Sequence, residues 1–410
     1  MDNTFVFYCI LFILVGEFIL ATLLNYLNSK RFKDPIPKEL NDVYNIEEYE
    51  KSQAYKLTNY KFGILTSVFS LTLILGFLIF GGFGWVDQVA QNMTDNRIVQ
   101  ALVFFGIIMI GSDIINIPFS YYQTFVIEEK FGFNKTTRKT FIIDKLKQWA
   151  MTIVIGGSIL ALIIWFFEWA GTNFWLYTWA VITLFILFMN LFYSKLIVPL
   201  FNKQEPLEAG SLKEKIEHYA ANVGFDLQHI FVINGSKRST KANAYFSGFG
   251  KEKRVTLYDT LINDLEEEEI VAVLAHEIGH YKRKHIIFNL AISILLTGLM
   301  LFLLSLFINN PELSLAIGVD RPSFHAALIG FGILYSPVSE ITGLLMNHFS
   351  RKFEYQADDY AKDTYAAMPL VTSLKKLSKN SLSNLTPHPA YVFIHYSHPP
   401  LIDRIRNLKA

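Results

Sequence analysis

Seven apolar runs, each bounded by polar or charged residues, recur along the chain at 5–27, 62–85, 98–121, 149–167, 174–192, 286–308 and 324–349. Each comes close to the ~20 residues that a helix needs to cross the hydrocarbon core of a bilayer. Basic residues are unevenly shared among the connections. Lys30, Arg31 and Lys33 follow the first run, and Lys130, Lys135, Arg138, Lys139, Lys145 and Lys147 crowd between the third and fourth. The connections after the second and sixth runs are poor in Lys and carry Asp87, Asp95, Glu312 and Asp320. Cytoplasmic loops hold the excess of Lys and Arg. The pattern therefore predicts an N-terminus outside, in the periplasm or lumen, and seven crossings that leave the C-terminal segment in the cytoplasm.

Polar residues take over between the fifth and sixth runs. There 212–223 has helical periodicity closed by Gly224, while 229–233 and 254–258 read as strands. A third strand is expected over 243–249. Its Asn243, Ala244 and Tyr245 either form an exposed edge that pairs with an extended peptide backbone or belong to an ordinary core strand. The chain thus divides into helices one to five (1–200), a cytoplasmic insert (201–285), helices six and seven (286–349) and a cytoplasmic C-terminal segment (350–410). The fold class expected is a mainly α, polytopic membrane protein with a small β-sheet in its insert.

Composition agrees with the pattern. Hydrophobic residues make up 52% of the 410, Phe alone numbers 36, and only 18% are charged. That balance, with a mean hydropathy of +0.30, excludes a string of soluble domains. A net charge of +1 without a basic stripe gives no reason to expect a nucleic-acid partner; the bilayer is the first partner implied. The single cysteine, Cys9, excludes an internal disulfide framework and any cysteine-ligated zinc. Asp2 and the lack of a basic residue before the first run make it a retained anchor rather than a cleavable signal. A bacterial inner membrane and the endoplasmic reticulum both suit such a chain.

The chemistry concentrates in VAVLAHEIGHYKRKH, 271–285. Residues four apart lie on one helical face, so His276 and His280 can offer two imidazole nitrogens to one metal ion, and Glu277 beside them can take a proton from an activated water. Two surface histidines on a charged helix are the bland alternative. The flanks argue against it, because the acidic 264–269 suits a helix start and the apolar 270–275 its buried middle. Buried histidines need a partner, and one zinc ion per chain is the simplest. The small Gly279 fits close packing beside such a site.

A tetrahedral zinc site needs a further protein ligand. Glu354 in RKFEYQAD is the best candidate, and Asp358, one turn later, can hold a ligating imidazole by hydrogen bond. The alternative is a solvated acidic face, with His388, His395 and His398 as the remaining ligand candidates. His285 is too close along its own helix to turn onto the metal. In HYSHPPLIDRIRNL, His398 could donate to a developing oxyanion, and Arg404 could support the carboxylates or a substrate C-terminus; a surface loop reads equally well. Asp113, inside the third run, is either functional or satisfied by a neighbouring helix.

Several motifs in order carry a resemblance. YYQTFVIEEKFGFNKTT, ANAYFSG, LAHEIGHYKRKH, SPVSE, SRKFEYQAD and HYSHPPLIDRIRNLK together resemble the type I CAAX prenyl endopeptidases. Relatives of the HtpX stress proteases resemble the chain only around the zinc motifs. The resemblance implies seven helices around a water-filled chamber, with a gluzincin-like zinc site at its cytoplasmic end. It implies His276, His280 and Glu354 as ligands, Glu277 as general base, Asn243 and Ala244 on the substrate backbone, and His398 and Arg404 lining the site. Asp113 and Glu340 would face the chamber. The reaction implied is removal of three C-terminal residues next to a prenylated cysteine. Lys352, where a second Arg is expected, is a mild departure. Two other functions are open: quality-control proteolysis of non-prenylated membrane proteins, and a channel or transporter with a structural zinc.

Overall fold

A computed structural model describes residues 2–247 and 253–410. The helices that matter here are α1 (Asn3–Lys30), α2 (Ile46–Ile79), α3 (Gly82–Met93), α4 (Arg97–Tyr122), α5 (Arg138–Met151), α6 (Gly157–Ala170) and α7 (Phe174–Leu196). After the insert come α8 (Ser211–Asn222), α9 (Glu267–Lys282), α10 (His285–Phe307), α11 (Phe324–Thr364), α12 (Ala367–Asn380) and α13 (Leu401–Lys409). Among the described residues six helical stretches are long and apolar enough to cross a membrane. One of them, Arg138–Phe201, turns at Gly171 (φ 56°), so that α6 packs back on α7 and the stretch supplies the fourth and fifth crossings. The chain is a multi-pass integral membrane protein.

The helices meet chiefly at their two ends. α11 is buried over its first turns, up to Phe331, and again from Glu354 to Ala361, with no buried residue between. α2 and α4 likewise bury few residues, and those lie near their ends. One cluster of buried side chains, including Ile10, Phe104, Phe174 and Leu304, closes one end of the bundle. A second, including Ile127, Leu257, Leu274, Ile278 and Ile405, lies at the end that carries the insert. Between them the outward faces bear exposed Phe12, Leu65, Leu184 and Leu295, as lipid contact requires.

The 41-residue α11 runs unbroken through Pro337, past the expected end of the seventh run, and carries Glu354 and Asp358 on the same rod. Proline removes one backbone donor. Ser336 Oγ lies 2.8 Å from the Ile333 carbonyl oxygen, the acceptor that Pro337 cannot serve. In membranes such side-chain substitution lets a helix continue.

In the insert, β1 (Gln204–Pro206), β2 (His229–Ile233), β3 (Ala244–Ser247) and β4 (Arg254–Tyr258) form one sheet in the order β1-β2-β4-β3. β3 is an edge strand: among the described residues it pairs with β4 alone, antiparallel. Two of the strands expected from sequence match β2 and β4; of the third, residues 248 and 249 lie outside the described part. Arg238 clamps the insert to the bundle, with Nε 2.7 Å and Nη2 2.9 Å from the two Asp144 oxygens and Nη1 2.8 Å from Asn202 Oδ1.

α9 begins three residues later than the acidic run starts. Asp264 ends a separate short helix, and Glu266 caps α9 through a reciprocal box with Glu269. α9 then packs along α11. The approach is closest at Gly279, where a Cβ would meet Ala357 Cα at 3.1 Å and Tyr360 Cβ at 3.1 Å. α9 and α10 are separate helices, so His285 does not share the helix of His280, contrary to expectation. Lys284 adopts φ 61° between them, a left-handed conformation that costs a lysine about 1–2 kcal/mol.

Replacing Gly279 with valine should force α9 off α11. Thermal unfolding of the purified variant should show a loss of about 1–3 kcal/mol, the usual cost of overpacking.

Candidate active site

α9, α11 and α13 meet at one buried point. On α9, His276 and His280 stand one turn apart with their Nε2 atoms 3.2 Å from each other. From α11, Glu354 places Oε2 3.4 Å from His276 Nε2 and Oε1 3.3 Å from His280 Nε2. One ligand atom from each of the three lies within 4.8 Å of the other two. Glu354 Oε2 is buried and has no hydrogen-bond partner among the described residues. Two imidazole nitrogens that face each other, with a carboxylate oxygen beside them that makes no hydrogen bond, fit a metal ion better than they fit one another. Two histidines and one carboxylate leave a fourth tetrahedral position open.

One turn beyond Glu354, Asp358 Oδ1 lies 2.8 Å from His276 Nδ1. Arg404 from α13 closes the cluster with Nε 2.8 Å from Asp358 Oδ2, Nη2 2.6 Å from Oδ1 and Nη1 3.3 Å from Glu354 Oε2. All of these side chains are buried. Burial works against a charged His276, yet hydrogen bonds to the Asp358 and Glu354 carboxylates outweigh it and push its pKa up to about 9. The two carboxylates exceed the single charge of Arg404. A proton on His276 or a cation between the nitrogens answers the same demand.

This cluster opens on a cavity of about 800 Å³. Glu277, half-buried, lines it next to the two histidines, and Asn243 and Ala244 line the facing wall. His398 is exposed and reaches in, with Nε2 3.3 Å from Glu354 Oε1. Tyr245 does not line the cavity: strand residues alternate sides, and its ring packs edge-on against Tyr258 at 6.5 Å. The backbone corrects the expected edge in the same way. Tyr258 donates to the Asn243 carbonyl at 3.0 Å, so by antiparallel alternation Tyr245 also pairs inward, with Thr256. Ala244 and Phe246 turn their peptide groups to the open side.

Of the other ligand candidates, His388 caps a short helix by accepting from Ala390 N–H at 3.2 Å, and His395 makes no approach to the cluster. Asp113 is satisfied by Lys145 Nζ at 2.8 Å and Trp149 Nε1 at 2.7 Å, and Glu340 is exposed on α11. A second cavity of about 870 Å³ lies between α1 and α2 and shares Tyr55, Asn384 and Tyr396 with the first.

The cavity also has an apolar wall that is not among the sequence expectations. Leu370, Leu374 and Leu377 of α12 line the cavity, and their i, i+4, i+7 spacing is an amphipathic signal that was there to be used. Tyr55 carried no such signal. It is joined to the insert by Glu128, whose carboxylate accepts from Tyr55 Oη at 2.6 Å and from Lys241 Nζ at 2.9 Å. Glu128 is placed by a π-helical turn, Gln123–Glu128, at the end of α4.

Comparison with known proteins places this geometry. Residues 25–203 match the family model described as CAAX prenyl protease N-terminal, five membrane helices, and residues 206–410 match peptidase family M48. A CAAX prenyl protease 1 homolog of Oryza sativa subsp. japonica is 37% identical over 409 residues, covering 98% of this chain and 96% of the relative. CAAX prenyl protease 1 of Saccharomyces cerevisiae is 34% identical, with 96% and 93% covered, and a Homo sapiens homolog is 33% identical, with 91% and 88% covered. The crystal structure of S. mikatae Ste24p superposes with a TM-score of 0.93 at 33% identity over 99% of both chains. The chain therefore belongs to peptidase family M48, as a polytopic membrane metalloendopeptidase of the CAAX prenyl protease group.

Proposed function

We propose that this protein binds one zinc ion through His276, His280 and Glu354 and removes the C-terminal tripeptide of prenylated CAAX proteins or peptides. The observation that carries the reading is the triangle of two imidazole nitrogens and a buried carboxylate oxygen without a hydrogen bond, beside Glu277, in a cavity walled by the start of an edge strand. The printed names of the relatives supply the substrate class. In this reading residues 201–285 form the catalytic insert, 350–410 complete it, and the site faces the cytoplasm of a bacterial or endoplasmic reticulum membrane.

Substrate backbone pairs with the outward peptide groups of Ala244 and Phe246, with Asn243 at the head of the strand, and this in-line addition to the sheet presents the scissile carbonyl to the metal triangle. Zinc in that triangle supplies Lewis acidity to the carbonyl and to a water molecule. Glu277 is the general base: its carboxylate takes the water's proton and later returns it to the leaving amine. His398, exposed at the cavity mouth, donates to the oxyanion that develops on the carbonyl. Asp358 accepts from His276 Nδ1, which keeps Nε2 unprotonated toward the ion, and Arg404 holds both carboxylates in register.

Cleavage of a farnesylated CAAX peptide by the purified protein tests the whole reading. Glu277→Gln should keep its zinc, measured by elemental analysis, and lose about 10²- to 10⁴-fold in kcat; a chelator should abolish cleavage by the wild type. Cleavage of non-prenylated membrane proteins but not of the peptide would favour quality-control proteolysis instead. Asp358→Asn should weaken zinc about 10- to 100-fold in chelator competition. Ala244→Pro removes an outward N–H, held at 2.8 Å by Asn243 Oδ1 until a substrate carbonyl takes its place, without touching the β4 ladder. Its KM should rise about 2- to 10-fold, as expected for one lost hydrogen bond, with zinc content unchanged.

A further inference from the structure

A metal-ligating imidazole is turned by whatever its other nitrogen binds. For His276 that partner is the Asp358 carboxylate. For His280 it is a third histidine. His280 Nδ1 lies 3.0 Å from His285 Nδ1, and His285 Nε2 lies 2.8 Å from Gln356 Oε1. His285 is 3% exposed, and its ring stacks on Phe353 at 4.1 Å and 9°, so it has one orientation to offer.

Resting on the reading of His276, His280 and Glu354 as ligands, we propose that His285 is a positioning residue of the metal centre: it accepts the Nδ1 proton of His280 and so directs the His280 Nε2 lone pair into the site. The proton positions follow in one direction. His280 Nε2 faces His276 and Glu354, so a ligating His280 carries its proton on Nδ1. That proton needs an acceptor, which is the bare Nδ1 of His285. The proton of His285 then sits on Nε2 and is donated to the Gln356 amide oxygen. Gln356 lies on α11 two residues after Glu354, so the chain of hydrogen bonds ties both ligand-bearing helices through the first residue of α10.

Backbone geometry supports the assignment independently. Were α9 to continue unbroken, His285 would stand about 140° around the axis from His280 and could not meet it. The turn at Arg283 and the left-handed Lys284 (φ 61°) break the helix, and His285 meets His280 with their Nδ1 atoms 3.0 Å apart. A non-glycine residue held in that conformation marks a place where the surrounding structure demands it.

Zinc competition with a chromogenic chelator tests the proposal on full-length protein in detergent. His285→Phe keeps the stacked ring but offers His280 no acceptor; His285→Asn carries an oxygen where Nδ1 stood. His285→Phe should lose about 10- to 100-fold in zinc affinity, and His285→Asn should recover most of it. The visible bands of the cobalt(II)-loaded protein should shift in His285→Phe and match wild type in His285→Asn. His280→Ala separates the two claims. If it abolishes zinc binding while His285→Phe binds as tightly as wild type with unshifted cobalt bands, the role of His285 is overturned and the ligand set stands. If His280→Ala itself binds like wild type, the ligand reading falls and takes the proposal with it. Equal weakening of His285→Phe and His285→Asn, with both unfolding at lower temperature, would also overturn it, because packing alone would then explain the loss.

Discussion

Charge balance at one buried point governs this molecule. Glu354 and Asp358 are almost wholly excluded from solvent, and a buried carboxylate is tolerated only when paired. Arg404 answers one of the two charges. The remaining demand for positive charge falls between His276 and His280. This fixes much of the architecture around it: α9 must lie against α11, α13 must return to them from the end of the chain, and Gly279 must be small enough to allow the contact.

The membrane part solves a different problem. Its helices bury side chains at both ends and few between, which leaves interior space without an apolar core to fill it. Polar residues inside the runs are then handled one at a time. Asp113 is matched by Lys145 and Trp149, and the carbonyl freed by Pro337 is matched by Ser336. The insert is joined to this frame through side chains rather than a shared core alone, Arg238 to Asp144 on one side and Lys241 to Glu128 on the other. The second join lies two residues before Asn243, so it also fixes where the free strand edge stands relative to the bundle.

Much of this was legible in the residues. Apolar runs of spanning length gave the crossings, because backbone groups in a bilayer must be satisfied within the segment. The i, i+4 histidines gave a shared face, and Glu354 with Asp358 gave a second. What failed had local causes. Tyr245 reads as part of the open edge because the alternation of β3 fits either register without its partner strand. An unbroken helix would hold His285 away from His280, and nothing in Arg283-Lys284 announces the left-handed turn that brings them together.

By itself the sequence determined the periodicities: how many helices cross, which residues share a helical face, and which residue types could hold a metal. These follow from local backbone geometry, which each segment carries with it. Tertiary structure alone decided which faces meet. That Glu354 reaches across to His276 and His280, that Arg404 arrives from the last helix, that Ala244 lines the cavity and that Gln356 holds His285 behind His280 all depend on contacts between residues far apart in the chain. Such contacts are chosen by packing and charge balance over the whole fold, and no single stretch of sequence contains them.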